Sequence, residues 1–335
     1  MYQSEFSLKK IKVIYFVNRE QFIRRFPSVT IKYEEIVYNL RFLYYCMVGV
    51  SMIYLHAFTF PNEDMEFDFF INVKRTCYDS FYPFKIFSRR GFDKIVFEPV
   101  TILYGGNGSG KSTALNVIAE KTGIKRDSIY NKSNFYPDYV DMCEVQLKAE
   151  IPEDSRIITS DDVFDYMLNI RNLNEGIDHK RERLFDEYLE AKYSQFQMKS
   201  IADYEQLKKV ITARSKTQSR FVRNELMDNV REYSNGESAF QYFVEKISEN
   251  GLYILDEPEN SLSPKRQLEL MKFIEDSARF FGCQFIISTH SPFLLSMSGA
   301  KIYDLDDNPV GVKRWTDLEN VRIYYEFFKR NENKF

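Results

Sequence analysis

Eight consecutive residues, Gly105-Gly106-Asn107-Gly108-Ser109-Gly110-Lys111-Ser112, satisfy the pattern G-x-x-x-x-G-K-[ST]. Each residue type in it has a physical task. Glycines let successive backbone N–H groups turn inward as a nest for an anion. A helix starting at Lys111, Ser112 and Thr113 adds its positive N-terminal end. The Lys111 ammonium can reach the β- and γ-phosphates of a nucleotide, and the Ser112 hydroxyl can ligate magnesium. A glycine-rich turn that matched by chance would lack the right flanks. Here an apolar run, residues 94–104, reads as a strand entering the loop, and residues 111–122 read as a helix leaving it and stopping near Gly123.

A second group complements the first. Residues 251–257 read G-L-Y-I-L-D-E, an apolar strand presenting two carboxylates at its carboxyl end, where open α/β sheets hold their ligands. Asp256 is the candidate for the magnesium shell, through Ser112 or water. Glu257 is the candidate base, which must stand within hydrogen-bond reach of an attacking water. Alone, the two acids could be a solvated strand end; paired with the phosphate loop they form a nucleotide-hydrolysing set.

The elements that must position these residues alternate. Strands are expected at 52–60, 94–104, 144–150, 155–159, 251–255, 283–288 and 301–305. Helices are expected at 111–122, 161–232 in segments, 236–248, from 264, from 292 and from about 316. Leu184, Tyr188 and Ala191 share one helical face within the long helical stretch. Ser263 with Pro264 starts a helix whose apolar stripe is read as Leu268, Met271, Ile274 and Ala278. A polar loop is expected at 124–140. Strands alternating with helices imply an α/β fold with a mostly parallel sheet.

Composition narrows the function. The 335 residues are 44% hydrophobic with formal net charge −3, enough apolar content for a large core and no overall basic character. Four scattered cysteines and three histidines argue against a zinc site and suit a reduced cytoplasmic protein. No signal peptide is visible in the first residues. Residues 42–62 carry no Asp, Glu, Lys or Arg, nearly a membrane-spanning length. Gly49, Ser51, His56 and Pro61 interrupt them, and the second half alternates like a strand, so a membrane association is not expected. Residues 1–51 are either an accessory segment or sequence upstream of a start at Met52.

Four further segments resemble ABC-type ATPases in order and wording. Tyr233-Ser234-Asn235-Gly236-Glu237-Ser238 resembles the signature loop, Glu257 follows the magnesium Asp, and Glu259 to Pro264 occupies the D-loop position. Ile287-Ser288-Thr289-His290-Ser291-Pro292 resembles the switch-histidine loop. The D-E-P-E-N-S-L-S-P wording is most similar to soluble ATPases of the SMC, RecF and OLD type. The resemblance covers about residues 52–325. It implies a P-loop NTPase fold of ABC-ATPase head type: a mostly parallel sheet, an antiparallel β portion, and a helical insertion at about 161–232. It further implies ATP and Mg2+ as ligands and a homodimer in the ATP state. Ser234 and Gly236 would then contact a γ-phosphate held by the other copy, and His290 would hold the γ-phosphate and water. The last roles are physically reasonable, since a hydroxyl and glycine N–H groups at a helix start donate well to phosphate and a neutral imidazole bonds both phosphate and water. Ser234 with Glu237 also matches a plain capping box.

The chain departs from the family pattern in places. Asn235 replaces a signature glycine, Ser263 stands where related ATPases carry His, and no Q-loop glutamine is found. After strand 155–159 come Ser160-Asp161-Asp162, as metal or water ligands or as a helix cap. The adenine-stacking aromatic is open among Tyr78, Phe81 and Tyr82. Lys208, Lys209, Arg214, Lys216, Arg220 and Arg223 fall in a stretch free of acids from 206 to 224. They are either solvated helix faces or a surface for a DNA or protein effector. The insertion is too short for an SMC coiled coil. Three functional readings follow: an ATP-driven conformational switch acting in DNA repair or phage defence, a nucleotide-gated binding module without turnover, and the ATPase subunit of a membrane transporter.

Overall fold

Period-two alternation in the central strands decides the architecture. The fold is given by a computed structural model describing residues 52–74, 77–196, 203–226 and 235–335. The chain runs β1 (Leu55–Thr59), α1 (Glu63–Asn72), β2 (Lys94–Val96), β3 (Val100–Tyr104), α2 (Lys111–Thr122), α3 (Tyr136–Met142), β4 (Glu144–Leu147) and β5 (Arg156–Thr159). It continues through α4 (Ser160–Tyr193), α5 (Tyr204–Ser215), α6 (Gln218–Glu225), α7 (Asn235–Lys246), β6 (Leu252–Asp256), α8 (Pro264–Phe280) and β7 (Gln284–Ser288). It ends with α9 (Pro292–Leu295), β8 (Lys301–Asp304), β9 (Gly311–Lys313) and α10 (Glu319–Arg330). Six strands form one sheet in the order β5-β6-β7-β3-β8-β9, parallel except for the edge strand β9. Three others form an antiparallel sheet in the order β2-β1-β4.

Side chains of the large sheet divide between two cores. Leu103, Leu252, Ile254 and Ile286 face α2, α3 and the antiparallel sheet. Ile102, Tyr104, Tyr253, Leu255, Phe285 and Ile287 face α7, α8 and α9. Both faces are therefore covered, as a parallel sheet requires. Gln284 joins the two sheets. It is fully buried; its Oε1 accepts the N–H groups of Tyr54 and Leu55 at 2.8 and 2.9 Å, and its Nε2 donates to Leu55 O at 2.8 Å.

The helical insertion is α4 to α6, with a core of its own that includes Leu184, Tyr188, Ala191, Val210, Ala213 and Phe221, so the expected helical face is the packed one. The basic side chains at 208, 209, 214, 220 and 223 are exposed, and Lys209 pairs with Glu187. Residues 1–51 lie outside the described residues. Among the described residues no helix is long and apolar enough to cross a membrane.

Several expected elements differ. The run 94–104 is two strands in two sheets: Pro99 has no N–H to give a ladder, and Glu98 N–H turns to Thr101 Oγ1 at 2.9 Å instead. The stripe of α8 is rotated. Leu268 is 45% exposed, and Leu270, Ile274, Ser277 and Ala278 are the buried set. Ser263 is the N-cap of α8, but its side chain makes no capping bond. Residues 136–142, read as loop, form α3, whose Tyr136 and Tyr139 are fully buried. The final helix starts at Glu319 rather than 316, and α1 and β9 were not anticipated.

Candidate active site

Register places the ends of the parallel strands in one row. Thr159 pairs with Asp256, Asp256 with Ser288, and Ser288 with Leu103. The loops that leave β3, β6 and β7 at this edge carry the phosphate loop, Asp256-Glu257 and His290. Residues far apart in sequence thus converge because their strands are neighbours.

Residues 105–110 form the loop between β3 and α2. Gly108 and Gly110 have φ of +78° and +99°, left-handed backbone that glycine adopts without a Cβ penalty. Lys111 is buried and its Nζ donates to Gly105 O at 2.8 Å and Gly106 O at 3.1 Å. Burial lowers its pKa, opposed by Glu257, Asp256 and Asp306. Two contacts hold the outer limb of the loop: Gly106 N–H donates to Asp306 Oδ2 at 2.6 Å, and Arg90 Nη1 bridges Ser109 O and Leu305 O at 3.1 and 2.8 Å. Thr113 Oγ1 accepts from Tyr82 Oη at 3.0 Å. Asn107 is exposed at the loop tip.

Asp256 accepts at Oδ1 from Ser112 Oγ at 3.0 Å and also from Ser288 Oγ. Burial raises its pKa, and the two hydroxyls oppose that. Glu257 sits at φ +49°, an uncommon conformation for a residue with a Cβ. It is kept there by bonds from its N–H to Ser288 O at 3.1 Å and Ser288 Oγ at 3.0 Å. Such strain persists only where surrounding bonds over-determine it. Its Oε1 is 3.7 Å from His290 Nε2. That nitrogen is buried and has no hydrogen-bond partner. Burial, followed by the Lys111 charge, lowers the His290 pKa, so the ring is neutral near pH 7.

The arrangement suits a nucleotide with a divalent cation. Ser112 Oγ and an acidic Oδ1 already stand at hydrogen-bond distance, an oxygen pair of the kind magnesium takes. Ser109 Oγ and His290 Nε2 are buried polar atoms without partners, as expected of groups waiting for phosphate oxygens. A cleft of about 790 Å³ opens at Ser112 and Asp256, lined also by Tyr82, Thr113, Asn116 and Asp161.

Comparison with known proteins agrees with this geometry. A family model described as "ABC transporter" matches residues 97–260, and one described as "AAA domain, putative AbiEii toxin, Type IV TA system" matches residues 229–296. The matched segments are similar to ABC-type P-loop ATPases and carry the phosphate loop, Asp256, Glu257 and His290. No curated protein matches it. Solved structures similar to it include the Smc head domain of Pyrococcus furiosus with an extended coiled coil, bound to the C-terminal domain of ScpA. That match has 14% identity, covers 71% of this chain and 95% of that one, and has a TM-score of 0.34. Another is dimeric MJ0796, a bacterial ABC transporter cassette, with 14% identity, 67% and 90% coverage and a TM-score of 0.31. A third is the SMC head domain of Thermotoga maritima, with 13% identity, 66% and 92% coverage and a TM-score of 0.30.

The remaining sequence candidates of the ATPase divide. Ser234 lies outside the described residues. Gly236 opens α7, where an added Cβ would lie 3.4 Å from Ser261 O. Glu237 pairs with Arg266 at 2.9 Å. Of the two acids after β5, Asp162 completes a capping box with the N-cap Thr159: its Oδ2 accepts Thr159 N–H at 2.7 Å, and its own N–H returns to Thr159 Oγ1. Asp161 faces the cleft. Phe81 stacks on Phe135 at 4.5 Å and Tyr78 meets the same ring edge-on at 5.4 Å, which leaves Tyr82, of the three candidates, as the one that lines the cleft, alongside Tyr130. Sequence reasoning missed Ser288, Arg90 and Asp306. Ser288 was in view as part of the switch-loop wording, and its hydroxyl is what orders Asp256 and Glu257.

Proposed function

We propose that the chain binds Mg·ATP at residues 105–113, hydrolyses it, and pairs with a second copy in the ATP state. One observation carries this reading: Asp256 and Glu257 end one strand, His290 follows the adjacent one, and Ser112 reaches Asp256 across 3.0 Å. Lys111 exchanges its two carbonyl partners for the β- and γ-phosphates, aided by the N–H groups of Gly108, Ser109 and Gly110. Ser112 and Asp256 hold Mg2+, which supplies charge neutralisation at the phosphate oxygens. Glu257 orients and polarises the attacking water. Neutral His290 donates or accepts at Nε2 toward the γ-phosphate and that water. Ser234 and Gly236 contact the γ-phosphate of the partner copy. Residues 52–335 act as one ATPase domain with α4 to α6 as its insertion.

The test is steady-state ATP hydrolysis with magnesium for wild type and Glu257→Gln, with sedimentation velocity in saturating ATP. Loss of an oriented base lowers kcat by about 10²–10⁴-fold while ATP binding persists, and the variant accumulates as a dimer. Equal turnover in both proteins sinks the assignment of Glu257. A variant that stays monomeric in ATP sinks the pairing.

A further inference from the structure

A carboxylate outside this machinery ties two of its loops together. Glu259 Oε1 accepts the backbone N–H of His290 at 2.6 Å and that of Ser291 at 3.2 Å. From the other side, Asn320 Nδ2 donates to His290 O at 2.8 Å. The main chain of His290 is therefore held at both its donor and its acceptor. Its ring nitrogen Nε2 is buried without a hydrogen-bond partner, beside Glu257. Burial raises the pKa of Glu259, and the His290 amide opposes that most. A buried acid is an expensive way to accept two amide protons. Its use here implies that an acceptor oxygen at this reach, taking both N–H groups at once, matters at this point.

We propose that Glu259 is a positioning residue for hydrolysis, fixing the His290 backbone so that the ring stands against Glu257. The proposal rests on the ATPase reading above. Glu259 makes no bond to the phosphate loop, so its loss acts on the chemical step and spares nucleotide binding. Misplacing a reacting group by 1 Å lowers rates by up to about 10²-fold.

The test uses the full chain with three single variants and one double. Glu259→Ala removes the acceptor; Glu259→Asp keeps the charge and withdraws it by one methylene; Glu259→Gln keeps an oxygen in place. Expected are kcat losses of about 10- to 100-fold for the first two, with ATP Kd within about threefold of wild type and Glu259→Gln recovering to within about fivefold. If Glu259 acts through His290, adding Glu259→Ala to His290→Ala lowers kcat by less than about twofold more. Unchanged kcat in Glu259→Ala and Glu259→Asp, a Glu259→Gln variant no better than alanine, or an undiminished effect in the His290→Ala background each overturns the proposal. A second readout needs no turnover. The chain has three histidines, so the ring proton signal of His290 can be followed by NMR in the nucleotide-free protein. It should move in Glu259→Asp and return in Glu259→Gln; a signal identical in all variants overturns the proposal. If wild type hydrolyses nothing while this signal behaves as expected, the ATPase reading fails and the tie between the loops stands.

Discussion

Gly110 is the position where nucleotide binding depends most directly on backbone shape. It stands at φ +99° immediately before Lys111. A Cβ added there would lie 2.9 Å from Ile86 Cγ2 and 3.0 Å from Phe87 Cε1, and Phe87 is only 1% exposed, so the wall has little room to give. Gly110→Ala therefore meets two penalties. Left-handed backbone costs an L-residue about 1–2 kcal/mol, and forcing a methyl into a packed wall costs about 1–3 kcal/mol. If the combined ~2–5 kcal/mol falls on the binding-competent loop, ATP affinity drops by about 30- to 4,000-fold. Gly108 supplies the internal control. It too is left-handed, at φ +78°, but an added Cβ meets nothing within 4 Å. Gly108→Ala should thus carry the backbone penalty alone, about 5- to 30-fold. The assay is equilibrium titration with a fluorescent ATP analogue, with thermal melts confirming that all three proteins are folded. A Gly110→Ala protein that binds within about threefold of wild type, or no more weakly than Gly108→Ala, refutes the reasoning.

Two further outcomes are expected. Burial raises the Asp256 pKa above its unfolded value, so this group's stability contribution is full below the unfolded pKa and is lost as pH rises through the folded one. Asp256→Asn should accordingly melt at a higher temperature than wild type at about pH 7, with the difference shrinking in acid, while losing more than about 10²-fold in kcat through loss of the carboxylate proposed to hold Mg2+; a variant that melts lower at neutral pH contradicts this. Gln284→Leu leaves the N–H groups of Tyr54 and Leu55 buried without their acceptor. At about 1–3 kcal/mol each, urea denaturation should show a loss of about 2–6 kcal/mol, and a change under about 1 kcal/mol would dismiss the inter-sheet role.

The phosphate loop, Asp256-Glu257 and His290 were legible because their chemistry needs fixed residue types at short range, and the flanking apolar runs declared the strands. What stayed hidden was non-local. Nothing near Gln284 in sequence announces that its amide will satisfy backbone groups some 230 residues away. Glu259 looked like part of a motif, whereas its partners sit on a loop 31 residues on. The strand 94–104 misled because both halves are apolar and only Pro99 marks the break. The stripe of α8 includes Leu270 where the spacing pointed to Leu268: both are apolar, and which one is buried depends on how the helix packs against the sheet. Asp161 and Asp162 were inseparable by type, and the capping geometry at Thr159 separated them.

The strand order has a consequence for biosynthesis. The strand that leads into the phosphate loop, β3, has as its two neighbours β7 and β8, and both are encoded at least 180 residues downstream. While the ribosome is still adding residues 105 to 283, β3 lacks both ladder partners and the loop lacks Asp256's companion Ser288. No nascent segment before β7 can present the finished site, so a growing chain stays blind to cellular ATP until β7, which begins its last sixth, has emerged. The long wait leaves an apolar strand unpaired in the meantime, which makes this the stretch most in need of a chaperone's attention.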